Sequence, residues 1–376
     1  MQSISGKFNH AIVTIDTIDE STRLQIQKMV DNPSFRDTKI VIMPDCHAGA
    51  AVCIGFTMMP IRDRIIPDIV GVDIGCGMLS RKFDIEEFDV KAFDLFIKEN
   101  IPCGFSVHKE FSEHEHCKDF QEIFSDLARR IGIEGDRHLR SIGTLGGGNH
   151  FIEAGFSSID KKLWVTIHSG SRNFGLRTAQ HHGLAAKNFC EKHGIDVSGV
   201  PFLIVSTPEG QEYLADQKTC VQFARLNRSS MMRKIETFFG GNALDQIESI
   251  HNFISEDGII RKGATPAYAD QLLIIPFNMR DGLAICVGKG NKDYNFSAPH
   301  GAGRLLSRSK AKEILDVKLF QKEMKEAGVY TTTAEESTLD ESPSAYKDKE
   351  IILQKIAETV DVIEFVKPVY NFKAGE

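Results

Sequence analysis

No apolar run in this chain approaches the roughly 20 residues that a membrane span requires. The opening Met-Gln-Ser-Ile-Ser-Gly-Lys carries no hydrophobic stretch of the signal-peptide kind. A soluble, cytoplasmic protein with no membrane partner is therefore the expectation. Excess positive charge is missing as well: 45 Lys and Arg stand against 52 Asp and Glu, a formal charge of -7 with a pI of about 6.0. This excludes a protein that coats nucleic acid by general basicity, so any RNA or DNA contact must come from a local basic patch or a metal site. The eight cysteines, at 46, 53, 76, 103, 117, 190, 220 and 286, follow no regular spacing. A disulfide framework is not expected, and reduced thiols fit the cytosol. There is no internal repeat and no low-complexity tail.

The remaining balance, 41% hydrophobic and 26% charged, is that of a globular chain able to bury a large core. Signal-rich loops run from residue 45 to residue 304 without a linker, which gives one domain over 1–376. Apolar periodicity predicts helices over 20–30, 86–100, 119–131, 176–193, 211–239 and 309–327, and strands over 10–15, 39–43, 151–154, 163–167, 271–276, 283–287 and 359–372. The class is α+β. The polar, acidic stretch 331–344 reads as a long surface loop, and His181 and His182 as exposed helix residues. Lys218, Arg225, Arg228, Arg233 and Lys234 form a basic stripe, a solvated face with an RNA track as the alternative. His114, His116 and Cys117 lack a second cluster to complete a metal site, so they read as a solvated loop or helix start.

Chemistry concentrates in the glycine-containing turns. In Val70-Gly-Val-Asp-Ile-Gly-Cys-Gly-Met78, Asp73 and Cys76 lie three residues apart on a backbone that glycine lets turn tightly. A carboxylate and a thiolate on one ion suit a borderline divalent metal such as Zn or Mn better than Mg. Ile142-Gly-Thr-Leu-Gly-Gly-Gly-Asn-His-Phe-Ile-Glu153 is neither a Walker loop nor a dinucleotide fingerprint. Its open backbone before Asn149 and His150 can cradle a phosphate or admit a ligand closely. His168 ends a strand and runs into a Ser/Gly loop bearing Arg172, whose guanidinium can hold a phosphate or carboxylate in bidentate fashion. His251-Asn252 and Arg261-Lys-Gly-Ala-Thr-Pro266 follow, with Lys262 in a loop that resembles an anion site. In Met43-Pro-Asp-Cys-His-Ala-Gly49, Asp45 and His47 mark a strand-to-loop junction, which taken alone reads as a turn with a surface histidine.

His300, between Pro299 and Gly301, is held in a stiff yet accessible loop, with Arg304 four residues on. A neutral imidazole is a competent nucleophile toward phosphorus, and a guanidinium offsets the charge that develops. The bland reading is a helix start with a structural histidine. Asp73, Cys76, His150, His168 and His251 together form a mixed N/O/S donor set. Five donors exceed one tetrahedral site, which suggests two ions sharing Cys76.

These motifs, in this order, resemble the RtcB family of tRNA-splicing and RNA-repair ligases over nearly the whole chain. The resemblance implies a single-domain α+β fold of its own, with mixed sheets around a dinuclear metal pocket. It implies joining of RNA that ends in a 2′,3′-cyclic phosphate or 3′-phosphate to RNA with a 5′-hydroxyl, using GTP and two Mn(II) ions. It makes Asp73, Cys76, His150, His168 and His251 the manganese ligands, Cys76 bridging, and His300 the carrier of GMP. It places Asn149 at the nucleotide phosphate, Phe151 and Glu153 at the guanine, Tyr346 stacked on the base and Lys373 at O6. Asp45 would support the metal site, and Arg172 and Arg304 would lie near RNA or nucleotide phosphates. The stretch between Gly288 and His300 is shorter than the family's, and the chain closes on Lys-Ala-Gly-Glu. The compact length resembles a shorter bacterial branch coupled to release factor H. That branch implies RNA repair more than routine tRNA processing, and admits a release-factor-like partner. The competing classes are a metal-dependent RNA phosphatase or cyclic phosphodiesterase that lacks the His300 step, and a non-catalytic RNA-binding module.

Overall fold

Strand Val360–Lys373 is long enough to pair along both edges, and most of the chain's chemistry is hung on its neighbours. It lies in a seven-stranded antiparallel sheet. The strand order is Asp245–Ile250, Gly77–Phe83, Leu163–Ser169, Phe151–Ser157, Val360–Lys373, Gly282–Gly288, Leu272–Asn278. A second, mixed sheet of six strands runs Gln2–Ser5, His10–Val13, Ile40–His47, Ile54–Met58, Ile260–Lys262, Asn252–Ile254. The computed structural model describes residues 1–61, 63–111, 115–196, 199–241 and 243–375, without the side chains of 115–119. The fold is α+β, as expected. The reading of His114, His116 and Cys117 rests on a residue and on side chains outside those described.

Local sequence explains several boundaries. His10–Val13 and Ile40–His47 are parallel neighbours, which requires a crossover, and helix Glu20–Val30 supplies it. Asp19 caps that helix by accepting from the Thr22 amide. The 86–100 helix begins only at Val90, because the Asp89 carboxylate takes the amides of Lys91 and Ala92. The predicted 309–327 helix is two helices, Arg308–Ile314 and Val317–Glu326. Leu315 is extended, and Asp316 caps the second helix through the Leu319 amide.

Three readings of charged residues are overturned. His182 is buried, with Nε2 2.8 Å from Asp216 Oδ2. Arg228 is fully buried in helix Pro208–Phe239, donating to the carbonyls of Gly75 and Ser169 and to Glu248, so the supposed basic stripe is broken at its centre. Stretch 331–344 is no surface loop. It folds into short 3-10 turns, Glu336–Glu341 and Pro343–Ala345, with Thr338, Asp340 and Glu341 buried. Partners elsewhere in the chain make this possible: Arg304 and Arg308 both reach Glu341 at 3.0 Å. A buried carboxylate is tolerated only when paired.

Register positions the site. In the seven-stranded sheet His168 pairs with both Met78 and Phe151, Phe151 with Lys373, and Glu153 with Asn371. Side chains two apart on a strand share a face. Phe151 and Glu153 therefore share one face of their strand, and Asn371 and Lys373 one face of theirs.

Candidate metal centre and active site

The turn before strand Gly77–Phe83 delivers two acidic groups to one point. Gly75 has φ +77°, and a Cβ there would meet the Val221 backbone at 2.8 Å, so helix Pro208–Phe239 presses the turn into place. The Asp73 carboxylate is held by the Ser171 amide at 3.0 Å, and the Cys76 amide donates to the Asp73 carbonyl. His150 enters from the glycine-rich loop, with Nε2 3.0 Å from Asp73 Oδ2 and 3.5 Å from Cys76 Sγ. His168, at its strand end, sets Nε2 3.3 Å from the same sulfur and 3.2 Å from His251 Nε2. Donor atoms of Cys76, His150 and His168 all lie within 4.8 Å of one another. The five predicted donors thus form one continuous run, Asp73 to His150 to Cys76 to His168 to His251.

Tautomers decide what this run can bind. His150 Nδ1 is 3.0 Å from the Leu145 carbonyl, and His168 Nδ1 is 3.0 Å from the Asn149 carbonyl. A carbonyl only accepts, so each Nδ1 carries a proton; His168 Nε2 then presents a lone pair, while His150 Nε2, which faces the Asp73 carboxylate, would present one once a cation displaced the proton between them. Burial holds His168 and His251 well below the ordinary histidine range, which keeps both neutral. Burial pushes the Asp73 carboxyl up, but the hydrogen bond shared with His150 outweighs it and holds the group below the ordinary carboxylate range. Burial, and then Asp73, push the Cys76 thiol well up; a bound cation reverses that order by favouring the thiolate. Imidazole lone pairs, a carboxylate and a sulfur converge at 3.0–3.5 Å. Such a donor set fits a borderline divalent cation.

His300 follows strand Ser297–Pro299, which pairs with Ala264–Pro266. Its Nδ1 is 2.6 Å from Asp45 Oδ2, and its amide donates to the same oxygen at 3.2 Å. Asp45 is fully buried at the end of strand Ile40–His47, and its other carboxylate oxygen has no partner. A carboxylate accepts, so the proton stays on Nδ1 and Nε2 is the free lone pair. The His300 and His251 ring centroids are 4.7 Å apart. His47, read as a surface residue, is half-buried in the wall beside them, and burial pulls it down to about 4.

These groups line one end of a cavity of about 660 Å³. At the other end Asn371 donates to Glu153 Oε2 at 2.8 Å, leaving Glu153 Oε1 and Asn371 Oδ1 buried without partners. Burial pushes Glu153 up to about 8, against the Asn371 bond and the Lys373 charge. The Lys373 ammonium lies 5.0 Å over the Phe151 ring and donates to Glu341 Oε2 at 2.7 Å. Tyr346 donates its hydroxyl to the same oxygen. Arg304 stands 5.4 Å over the Tyr346 ring.

Asn149, Phe151, Glu153, Tyr346, Lys373 and four of the donors, Asp73, Cys76, His168 and His251, therefore line this cavity, while His150 and Asp45 stand behind its wall, bonded to Asp73 and His300. Arg304 lines it too, but its guanidinium is spent on Glu341 and on the carbonyls of Leu306 and Asp340. Asp45 bonds His300, whose ring packs on the donor His251, so the carboxylate stands one residue back from the donor run. Arg172 is not in a loop: it opens helix Arg172–Lys192 at φ +57°, bonds the Gly104 carbonyl at 2.8 Å and packs on Gly146 outside the cavity wall. Sequence reasoning missed Asn371 and Glu341. The two-residue spacing of Asn371 and Lys373 at the end of a strand was a usable signal for the first. Glu341 offered none within its acidic stretch.

Comparison with known proteins gives one family. The chain matches the family described as RtcB, tRNA-splicing ligase RtcB, over residues 25–136 and 130–374. It is 29% identical over 397 aligned residues to the RNA-splicing ligase RtcB of Escherichia coli K12, covering 95% of each chain. It is 25% identical over 403 aligned residues to the tRNA-splicing ligase RtcB of Aeropyrum pernix, covering 84% of this chain and 83% of that protein.

Proposed function

Because this chain belongs to the RtcB family of tRNA-splicing ligases, we propose that it is a GTP- and Mn(II)-dependent RNA ligase, acting as one domain. It joins a 3′-phosphate or 2′,3′-cyclic phosphate end to a 5′-hydroxyl end through GMP carried on His300. The observation that supports this best is the juxtaposition of the His300 ring with the His251–His168–Cys76 donor run, 4.7 Å from centroid to centroid. Asp73, Cys76, His150, His168 and His251 would hold two Mn(II) ions with the thiolate shared. Bound there, the ions supply Lewis-acid polarisation of a phosphate and offset its charge.

The protein's own groups do the rest. His300 Nε2 attacks the α-phosphorus of GTP; the N–P bond forms as the bond to pyrophosphate breaks. The Nδ1 proton stays where Asp45 holds it, and that carboxylate stabilises the positive charge the ring acquires. A 2′,3′-cyclic end is first opened by water at the P–O2′ bond; the RNA 3′-phosphate then displaces His300 from the GMP phosphorus, and the 5′-hydroxyl attacks the RNA phosphorus, releasing its proton to solvent and displacing GMP. Glu153 and Lys373 offer the nucleobase an acceptor and a donor, and Tyr346 an aromatic face. Free thiols at all seven cysteines whose side chains are described are in keeping with a cytoplasmic setting. The resemblance to the release-factor-H-coupled branch implies repair of broken RNA, with a release-factor-like partner as the corollary.

Two outcomes test this arrangement. Asp45→Asn keeps the shape but removes the obligate acceptor, so the amide can turn His300 to the wrong tautomer. Covalent labelling by GTP should slow by about 10²–10⁴-fold, with metal content unchanged. A rate within a few-fold of wild type would show that Asp45 does not fix the ring.

The second concerns pH. With Glu153 raised to about 8, the free site holds a proton that guanine's N1–H and amino donors require it to release. Binding is then favoured as pH rises. The KM for GTP should fall by up to about tenfold per pH unit between 6 and 8 and level off above. Glu153→Gln should flatten that profile; a profile equally steep in the variant would assign the titration elsewhere.

A further inference from the structure

Glu341 has no role in the scheme so far, yet it accepts three hydrogen bonds, from Arg304, Lys373 and Tyr346, and pairs with Arg308 as well. Oε1 faces Arg304 and Arg308 at 3.0 Å each, and Oε2 faces Lys373 at 2.7 Å and the Tyr346 hydroxyl. Its side chain is 1% exposed. An ionised carboxylate has about four acceptor positions; three are filled by hydrogen bonds, and the Arg308 guanidinium lies against the carboxylate as an ion pair. These donors come from separate parts of the chain. Arg304 follows the nucleophile loop, Lys373 ends the long strand, and Tyr346 is antiparallel-bridged to Arg304, with the Lys347 amide on the Gly303 carbonyl at 3.0 Å.

We infer that Glu341 is a positioning residue for nucleobase selection, acting through Lys373 and Tyr346; this rests on the nucleotide reading above. Lys373 sits among Phe151, Glu153 and Glu341. Glu341 fixes the ammonium over the Phe151 ring, 5.0 Å from its centroid, leaving Glu153 Oε1 unpartnered for a ligand. The site then offers a base one fixed donor and one acceptor. Guanine presents a carbonyl beside N–H groups and matches; adenine presents an amino group beside a ring-nitrogen acceptor and does not. Without the Glu341 charge, the lysine is free to pair with Glu153, and the distinction is lost. The ion pairs support a permanent charge: burial pushes Glu341 up, but Lys373, Arg308 and Arg304 hold it down at about 2.

The test uses the full-length protein with Mn(II) and α-labelled GTP or ATP, reading the rate of covalent labelling against nucleotide concentration. Glu341→Gln should raise the GTP KM by about tenfold or more and lower the GTP-over-ATP preference similarly, with the saturating rate falling less than KM rises. Metal content should stay at the wild-type level. KM and preference within twofold of wild type, or a loss confined to the saturating rate, would overturn the inference. Should Glu341→Gln fail to fold, Tyr346→Phe removes one bond to the carboxylate and keeps the ring. It should raise the GTP KM by about threefold and weaken the preference, and an unchanged value for both overturns the inference equally. A wild-type protein that labels with no nucleotide refutes the nucleotide reading itself. Labelling of wild type with no change in the variants refutes only the role of Glu341.

Discussion

His300→Ala abolishes covalent attachment of GMP and leaves metal content at the wild-type level: this is the largest single effect the site geometry predicts. Among the described residues, this imidazole combines a protonated Nδ1 held at 2.6 Å by a buried carboxylate with a free nitrogen on the cavity wall. Displacement at phosphorus is mostly positioning and electrostatics, so no neighbour can substitute for a missing nucleophile. A loss on the order of 10⁴-fold or more is expected, as for other covalent nucleophiles. The His300 ring is not among the donors that converge on Cys76, so elemental analysis should return the wild-type Mn content. The adduct is a phosphoramidate, labile to acid and stable to base. Acid-labile label that persists in His300→Ala moves the nucleophile to Lys262, and label that survives acid is an oxygen ester, which moves it to a hydroxyl such as Ser307.

Cys76→Ala should lose nearly all bound Mn(II), where His168→Ala keeps about one ion per chain. Cys76 Sγ is within 3.5 Å of both His150 and His168, in the middle of the donor run, while Asp73 and His251 lie at its ends. Loss of a shared thiolate removes a ligand from both ions at once; His168, whose Nδ1 is held on the Asn149 carbonyl, has one lone pair to offer and can serve a single ion. Labelling by GTP should fall with the metal in Cys76→Ala. The turn itself should persist, because the Gly75 amide on the Asn252 carbonyl at 2.7 Å does not involve the sulfur. Elemental analysis showing full occupancy in Cys76→Ala would end the bridging assignment.

The donors were readable in the sequence because each sits at a strand end or beside glycine, where a rigid element meets an open backbone. Helix Glu20–Val30 was readable to the residue because apolar period and cap coincide at Asp19. What stayed hidden depended on partners remote in the chain. Asp45 and His300 are 255 residues apart, and nothing local to Asp45 shows that its carboxylate holds a ring. Arg228 and His182 read as solvated because periodicity reports polarity, while burial was decided by the Gly75 and Ser169 carbonyls, Glu248 and Asp216. The 331–344 stretch failed in the same way. Acidic composition signals a solvated loop unless cations arrive from outside it, and here Arg304, Arg308 and Lys373 do. The break in helix 309–327 is different. Asp316 is a strong cap placed where a helix can restart, and that signal was present but outweighed by the apolar pattern around it.

Joining of defined RNA ends by the purified protein, with GTP and Mn(II), tests the central claim most directly. Two oligonucleotide pairs suffice: one with a 3′-phosphate and a 5′-hydroxyl, the other with a 3′-hydroxyl and a 5′-phosphate. A 3′-phosphate is the group that attacks guanylylated His300, so the first pair should be joined and the second left unjoined, with joining lost in His300→Ala. Joining of the second pair and not the first, or removal of the 3′-phosphate without joining, would contradict the account.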